Sequence, residues 1–395
     1  MSTTLGARVA ACAAVALLRV LNPVTTPALA QEGGTRSALG VSNALNPAIS
    51  FNALFLGTWS DNPVSDPEGG TKDGLAFQEA EVVLSSVVDP YFQAFATVTL
   101  SPEEGTGLEE GYAWVTSLPS GAGLKFGQLK LPFGKHNELH THAFPWVSAP
   151  IGTAGLLGPE GANDVAVVAS YLLPTSIYLE LQGYAGDGSA EIMDAEEDRL
   201  ATGGRLSSLL DLGTSATIEI GGSLLSGPAG AEDAEQRSLR LDRNVADLAP
   251  VFGLASRVDT EDPEIATYVG GDLTLKWQDL TQTGGRALIW QSELISGRFD
   301  QDRNDQLGAY SLLRWKALRR VWLSGGYALF RESLAEGEDF DIQETRAQVA
   351  FVPSEFSLLR LEVRHRDWSA PEIEDDWTAN LQLNFTIGSH PAHRY

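Results

Sequence analysis

Residues 375–388, DDWTANLQLNFTIG, alternate strictly between two kinds of side chain. The apolar set is Trp377, Ala379, Leu381, Leu383, Phe385 and Ile387, and the polar set is Thr378, Asn380, Gln382, Asn384 and Thr386. Because side chains of a β-strand point alternately to opposite sides, this period of two predicts a strand with one apolar and one polar face. The pattern recurs along the chain and predicts about sixteen strands, the first at 48–57.

The connectors between the predicted strands alternate in length. Tight turns such as Asp89-Pro90 and Leu173-Pro174 are separated by longer loops at 58–73, 102–108, 132–163, 186–199, 226–263, 300–306, 333–340 and 368–374. A soluble β-sandwich also alternates along its strands, but its Greek-key connections give no such rhythm. Short periplasmic turns and long extracellular loops are typical of outer-membrane barrels. We therefore predict an all-β fold, a closed antiparallel up-and-down transmembrane β-barrel of about 16 strands.

The N-terminus has the features of a secretory signal peptide. Arg8 precedes an apolar stretch, and a small-x-small pattern predicts cleavage before Gln31. Acylation of Cys12, the alternative, would leave only three apolar residues between Arg8 and Cys12. The predicted parts are a signal peptide (1–30), a periplasmic N-terminal segment (31–46), a transmembrane β-barrel (47–388) and a C-terminal tail (389–395). The tail ends in the aromatic Tyr395, the kind of terminus that barrel-assembly machinery commonly recognises.

Charge excludes one class of partner. The net charge is −25, and such a chain repels phosphate, so no nucleic acid is expected as a partner. The acids concentrate in the predicted loops, for example at 194–198, 232–235 and 259–264. These clusters predict either a solvated surface or a layer in which Mg²⁺ or Ca²⁺ links the loops to anionic lipopolysaccharide. No other cofactor is expected.

The polar faces of the predicted strands carry the candidate pore-lining residues. They are Glu79, Glu81, Arg314, Lys316, Arg346, Arg360, Glu362, Arg364 and Arg366, with either Glu109 or Glu110. The acids come early in the chain and most of the bases come late, on strands that we expect to be well separated around the sheet. A basic wall facing an acidic wall would orient dipolar solutes. Pairing across neighbouring strands, for example Glu362 with Arg346, is the alternative.

The loop at 132–163 is too apolar to be freely solvated. Its candidate constriction residues are Phe144, Trp146, Ile151, Leu156 and Leu157, which need cover from water. General porins fold their third long extracellular loop into the barrel, and this is the third long loop here. We expect it to fold inwards and narrow the pore. Packing over the barrel mouth or against a partner subunit is the alternative.

The same loop contains a histidine pattern, HxExHxH. His136, His140 and His142 could bring three imidazoles to one metal ion such as zinc. Histidines are also common in loops at pore mouths without any metal. Both interpretations stay open on the sequence.

Several stretches resemble a known group of proteins. They are NPAISFNALFLG (46–57), FQEAEVVLSSVVDPYF (77–92), EEGYAWVTSLPSGAGLKFGQLKLPFGKHNELHTHAFPWVSAP (109–150) and HPAHRY (390–395). In these the chain resembles uncharacterised porin-like outer-membrane β-barrel proteins, which are distantly similar to the phosphate-selective porins O and P. Some members are labelled zinc-regulated TonB-dependent outer-membrane receptors. The resemblance implies a barrel in the outer membrane. A TonB-dependent barrel has 22 strands around an N-terminal plug, and because the strand pattern begins near residue 48 we expect neither in this chain.

These observations lead to an expected function. We expect a porin-like channel in a Gram-negative outer membrane that passes small hydrophilic solutes or ions, surrounded by lipid and lipopolysaccharide. General porins are often trimers, so a homotrimer is among the expected assemblies. The alternatives are an uptake or binding receptor, related to metal, with an occluded or gated lumen, and a purely structural barrel. An enzyme is not expected, because His365 and Asp367 fall on the predicted lipid-facing side.

Overall fold

The computed structural model of the chain describes residues 47–62, 73–102, 105–119, 121–190, 192–193, 199–229, 241–242, 265–281, 285–299, 305–333, 339–370 and 373–388. The chain divides into two compact units, Met1–Pro47 and Ala48–Tyr395, and the description concerns the second. The predicted signal peptide, periplasmic segment and C-terminal tail lie outside the described residues, as do most of the acidic loop clusters.

Sixteen strands form the described part of this unit. They are β1 (Ala48–Ser60), β2 (Gly74–Val87), β3 (Phe92–Ser101), β4 (Gly105–Val115), β5 (Ala122–Lys130), β6 (Asn163–Leu172), β7 (Tyr178–Gly186), β8 (Ala201–Asp211), β9 (Ala216–Pro228), β10 (Ile265–Gln278), β11 (Ala287–Phe299), β12 (Gln306–Leu318), β13 (Val321–Ser333), β14 (Asp339–Ser354), β15 (Ser357–Trp368) and β16 (Asp376–Gly388). The β5–β6 connection contains a 3₁₀ turn, Thr141–Ala143, and a short helix, α1 (Ile151–Leu157). Across the described ranges, no helix has both the length and the apolar character needed to cross a bilayer.

The strands close on themselves. Each strand pairs antiparallel with its neighbours in sequence, and β1 pairs with β16. The closing register runs from Ser50 opposite Gly388 to Ser60 opposite Thr378. Closure leaves no edge strand with unpaired backbone groups, which could find no partners in hydrocarbon. The predicted closed, antiparallel, up-and-down barrel of about sixteen strands is confirmed.

Apolar side chains point outwards and polar ones inwards. On β16, Leu383 is exposed and its neighbour Gln382 is fully buried. Elsewhere on the outer surface, Leu75 is 82% exposed and Val269 is 54% exposed. A soluble protein rarely leaves so large an apolar surface uncovered, whereas a membrane barrel turns it to lipid. The alternation in DDWTANLQLNFTIG thus predicted both the strand and its orientation.

Aromatic side chains mark the two ends of the outer surface. Trp59 and Trp377 are exposed near the end that carries the long loops. Trp277, Trp315 and Phe356 are exposed near the end that carries the short turns. Aromatic girdles of this kind flank the apolar band of membrane barrels, because amphipathic rings favour the two membrane interfaces.

The connectors largely follow the predicted rhythm. Two residues join β12 to β13 and two join β14 to β15, whereas residues 131–162 join β5 to β6. One predicted long loop, 102–108, is wrong. β4 begins at Gly105, so only residues 102–104 separate it from β3. The glycines and threonine at its start pair with β3 even though they lack the apolar alternation on which the prediction relied.

Two β-bulges interrupt the alternation where β2 and β4 carry their acids. Opposite β1, Gln78 is the extra residue, since Leu54 pairs with Glu79 and Phe55 with Phe77. Opposite β3, Glu109 is the extra residue, since Thr97 pairs with Glu110 and Val98 with Leu108. A bulge lets two successive side chains leave the strict alternation. Both Glu109 and Glu110 are therefore buried, where the sequence had allowed only one of them.

Candidate functional site

The β5–β6 connection, residues 131–162, lies inside the barrel and is called the inward loop below. Its apolar residues are buried, including the five predicted constriction residues Phe144, Trp146, Ile151, Leu156 and Leu157. Its contacts reach lumen-facing residues far around the wall. Gly134 N–H donates to Ser223 Oγ on β9, and the Asn384 amide on β16 donates to the His142 carbonyl.

Arginines of β14 and β15 hold the backbone of this loop. Arg346 donates to the carbonyl oxygens of Ser148 and Ala149 at 2.8 and 2.9 Å. Arg360 donates to the carbonyl oxygen of Phe144 at 2.8 Å. Hydrogen bonds from a charged donor are stronger than neutral ones, so these contacts fix the chain on this side of the lumen.

Carboxylates on the same two strands complete the attachment. Glu362 accepts from the Val147 N–H at 3.1 Å, and Glu344 accepts from the Ile151 N–H at 3.3 Å. Glu344 also pairs with Arg346 at 2.8 Å, and Arg366 pairs with Glu344 at 2.9 Å. Of the arginines predicted to form a basic wall, Arg346 and Arg366 therefore pair with a neighbouring carboxylate, as in the alternative that the sequence left open.

The basic and acidic strands also lie closer together around the barrel than the sequence suggested. Because β1 pairs with β16, only those two strands separate β15 from β2. Strand β15 carries Arg360, Arg364 and Arg366, and β2 carries Glu79 and Glu81. Arg364 donates to Thr378 Oγ1 at 3.3 Å on the intervening β16. The expectation that the two charged regions are well separated is wrong for these strands, since chain order measures distance only one way around a closed barrel.

Helix α1 packs on the wall through glycines. Gly152 lies against the backbone of Ala309 on β12, and a Cβ on Gly308 would meet the carbonyl oxygen of Gly152. Leu156 lies beside the same contact. The absence of side chains at both positions lets the helix backbone touch the strand backbone.

Two predicted lumen residues lie away from the loop contacts described above. Arg314 and Lys316 are half-buried near the short-turn end of β12. They lie over the ring of Trp322, 5.2 and 6.0 Å from its centre. A cation over an aromatic face is favourable.

Four carboxylates of β2 and β4, called the acidic cluster below, meet two loop histidines. The cluster consists of Glu79, Glu81, Glu109 and Glu110, all buried. His140 contacts Glu109 Oε2 through Nδ1 at 2.9 Å and Glu110 Oε2 through Nε2 at 2.8 Å. His142 Nδ1 lies 2.6 Å from Glu81 Oε1. Lys130, at the end of β5, pairs with Glu109 Oε1 at 2.9 Å.

The three predicted metal-binding histidines do not share one environment. The rings of His140 and His142 are 5.9 Å apart, whereas the ring of His136 packs against Phe144 at 4.5 Å and Tyr310 at 6.0 Å. Within the described residues, the group able to hold a metal ion is Glu81, Glu109 and His140.

The two environments have opposite effects on the histidines. Burial lowers the pKa of His136 to about 3, and the positive charges of Lys130 and Arg346 act in the same direction. Burial also acts to lower the pKa of His140, but the carboxylates of Glu109 and Glu110 outweigh it and raise that pKa to about 10. Without a metal, the two carboxylates therefore favour the imidazolium form of His140, which contacts both of them.

His365 and Asp367, the pair considered for an enzyme, lie on the outer surface. His365 Nδ1 is 3.5 Å from Asp367 Oδ2, and its ring packs against the exposed Trp377 with 4.2 Å between ring centres. This is the arrangement of interfacial aromatic groups at the rim of a membrane barrel.

Sequence reasoning missed three parts of the site. It did not place Lys130 beside Glu109, nor Glu293 on β11, which accepts from the N–H groups of Lys135 and His136 at 3.3 and 3.2 Å. It also allowed only one of Glu109 and Glu110 in the lumen. Adjacent glutamates inside a strand break the alternation, which is the one signal that could have indicated the bulge.

Comparison with known proteins places the fold among outer-membrane barrels. No protein-family model matches the chain. An uncharacterized protein of Aquifex aeolicus (strain VF5) is 27% identical over 354 residues, which cover 82% of this chain and 71% of that protein.

Solved structures give the stronger likeness in shape. A loop L8 deletion mutant of OmpT, an outer-membrane protein of Vibrio cholerae, matches with a TM-score of 0.55 and 10% identity, covering 86% of this chain and 99% of that one. OprB of Pseudomonas putida matches with a TM-score of 0.55 and 9% identity, over 87% and 94% of the two chains. An anion-selective porin from Comamonas acidovorans matches with a TM-score of 0.53 and 9% identity, over 86% and 98%. At such low identities the likeness is one of fold.

Proposed function

We propose that this chain is an outer-membrane channel through which small hydrophilic solutes or ions diffuse passively, with the inward loop as its constriction. The observation that carries the proposal is the attachment of this loop inside a closed barrel. Arg346 and Arg360 hold its carbonyl oxygens, and carboxylates of the acidic cluster contact its histidines. A loop fixed across a lumen narrows the passage and sets its size limit.

The lining of the barrel supports the same function. Barrels of 16 to 18 strands are wide enough to enclose an aqueous channel. Polar and charged side chains such as Arg314, Lys316 and Asn380 point into the lumen, while the outer surface is apolar. The likeness to an anion-selective porin and to OprB, and the resemblance to proteins related to the phosphate-selective porins, agree with a channel.

Location and partners follow from this proposal. The long loops face the cell exterior and the short turns face the periplasm, as in outer-membrane barrels. The leader directs export and is cleaved, and the barrel-assembly machinery inserts the barrel among lipid and lipopolysaccharide. A homotrimer fits the proposal, since one of the matched OmpT structures is described as a trimer form.

Single-channel recording tests the proposal. The full mature chain, refolded in detergent, is added to a planar bilayer, and the reversal potential is measured under a KCl gradient. Discrete conductance steps would support an open channel, and the sign of the reversal potential would give its ion preference. A well-folded barrel that never conducts would refute passive diffusion.

A second function, that of a binding receptor with an occluded lumen, has one observation in its favour. Arg360, Glu362 and Gln382 point into the lumen yet are 2%, 0% and 0% exposed, because the inward loop covers them. Deleting residues 136–157 distinguishes the two functions. A channel should conduct before and after the deletion, whereas an occluded receptor should conduct only after it.

A further inference from the structure

We infer that Glu81, Glu109 and His140 form a binding site for one divalent transition-metal ion of the Zn²⁺ class on the inner wall of the barrel. The site differs from the three-histidine site that the sequence suggested. It does not depend on whether the barrel conducts, since a structural or receptor barrel could bind the same ion.

The ligand atoms are close to the spacing that such an ion requires. His140 Nδ1 lies 2.9 Å from Glu109 Oε2 and 3.7 Å from Glu81 Oε2, and the three ligand atoms all lie within 4.8 Å of one another. Tetrahedral zinc, with bonds of about 2.0–2.1 Å, holds its ligand atoms about 3.3 Å apart. The two measured distances lie on either side of this value, so small side-chain movements suffice.

Each of the three residues is held through its other polar atom. Glu81 Oε1 contacts His142 Nδ1 at 2.6 Å, and Glu109 Oε1 contacts Lys130 Nζ at 2.9 Å. His140 Nε2 contacts Glu110 Oε2 at 2.8 Å. Metal-binding histidines commonly donate their second ring N–H to a carboxylate, which orients the ring and raises the basicity of the ligating nitrogen. The arrangement leaves one atom of each residue directed at a common point.

The buried carboxylate of Glu81 is a separate observation in favour of a cation at that point. Glu81 is 1% exposed, and among the described residues its Oε2 has no donor other than the side chain of Glu79, which hydrogen-bonds to the Glu81 side chain. Two buried carboxyl groups in contact need a shared proton or a cation between them, because two ionised carboxylates repel each other, and a bound metal ion would replace that proton. His140 Nδ1, at 3.7 Å, is too far to serve as its donor.

The charges around the site also favour a bound divalent cation. The four carboxylates of the acidic cluster outnumber the nearby bases, which are Lys130 and the imidazoles of His140 and His142. With neutral imidazoles, as a metal requires, and a proton on Glu79, the carboxylates of Glu81, Glu109 and Glu110 still exceed the single positive charge of Lys130, and a divalent cation offsets the difference.

The donor set and its access favour Zn²⁺ over the common hard cations. Calcium takes six to eight oxygen ligands, whereas one imidazole with two carboxylates suits zinc and leaves a position for water. The side chains of His140 and Glu110 are 13% and 11% exposed, so an ion can reach the site from the lumen. Bound there, it would join the inward loop to β2 and β4 through coordinate bonds.

Metal titration tests the site. The mature protein is purified in detergent, stripped with chelator, titrated with ZnSO₄, desalted and analysed for zinc by mass spectrometry. We expect one zinc per chain, and at least a hundredfold loss of affinity in H140Q and in E109Q. H136Q is the matched control, because His136 is in the same loop but packs between Phe144 and Tyr310. It should bind zinc as the unaltered protein does.

X-ray absorption of the unaltered, zinc-loaded protein keeps the test independent of how the variants fold. We expect one imidazole among nitrogen and oxygen ligands. Three imidazoles, or loss of zinc in H136Q, would overturn the proposal in favour of a three-histidine site. The absence of stoichiometric binding at millimolar zinc would overturn it in favour of an imidazolium clamp between carboxylates.

Discussion

Replacing Arg346 with methionine should loosen the attachment of the inward loop to the barrel wall. Methionine keeps much of the side-chain volume but donates no hydrogen bond, so the contacts to Ser148 and Ala149 are lost. A hydrogen bond from a charged group contributes about 1.5–3 kcal/mol, so two of them make the docked loop about 3–6 kcal/mol less favourable. Lumenal water will solvate part of the exposed carbonyls. We therefore expect docking to be weakened by about 3 kcal/mol, which corresponds to about a hundredfold increase in the fraction of molecules whose inward loop is released.

A single thiol on α1 can measure this population. Thr153 is 1% exposed, and Cys12 is the only cysteine in the sequence, so Thr153→Cys with Cys12→Ser gives one buried reporter. A charged maleimide should modify it about a hundredfold faster once R346M is added, because modification requires local opening.

The matched control is R331M on the adjacent strand. Arg331 pairs with Asp341 at 2.6 Å on the outer surface, so its loss should leave the rate unchanged. A rate increase of less than about threefold in R346M, or an equal increase in R331M, would refute the idea that these hydrogen bonds hold the loop.

Three further predictions concern packing, charge and pH. Gly308→Val should push α1 off β12 and raise the single-channel conductance, since no side chain fits there. Asp272→Asn should lower the free energy of unfolding in urea by about 3–5 kcal/mol, because it leaves the buried Arg205 without its carboxylate. Lowering the pH should weaken docking of the inward loop, because His136 gains a proton when the loop is released. Its pKa is about 3 when docked and about 6.5 when released, so only the released loop gains a proton. The contribution of His136 to docking is complete above pH 6.5 and is lost progressively as the pH falls towards 3, which should raise conductance and channel noise.

Each of these has a control and a contradicting result. Gly325→Val should be silent, since a Cβ at Gly325 meets nothing within 4 Å. Asp341→Asn on the outer surface should lower the free energy of unfolding by less than about 1 kcal/mol. An equally small decrease for Asp272→Asn would contradict the prediction that the buried Arg205 depends on its carboxylate partner. The acid effect should shrink in H136Q, and a response identical to that of the unaltered channel would exclude His136 as its origin.

The fold was predictable because its determinants are local. The alternation in β16 shows which side chains face lipid, since the membrane places apolar residues on one side of every strand. The same holds for β14, where Glu344, Arg346 and Gln348 point inwards. The rhythm of short and long connectors then orders the strands. These patterns need no knowledge of which residues meet across the barrel.

The site was only partly predictable because its contacts are not local. The apolar character of Trp146 and Ile151 indicated that the loop needs cover, but not which arginines would hold it. Arg346 lies almost 200 residues along the chain from Ser148 and Ala149. No sequence pattern encodes that pairing, and the bulge that brings Glu109 and Glu110 to the lumen together is indicated only by the two adjacent glutamates within a strand.

The sequence suggested that the lumenal charges act on a solute. In the structure, several of them hold the inward loop instead. Arg346 and Arg360 are directed to its carbonyl oxygens, and the acidic cluster is directed to His140 and His142. A buried charge with an opposite charge close by, such as Arg346 beside Glu344, contributes little field to the open lumen. Ion preference should therefore depend on half-exposed charges away from these contacts, above all Arg314 and Lys316. Neutralising Arg314 and Lys316 should then shift the reversal potential. Replacing the residues that hold the loop should instead change the conductance, because the loop moves.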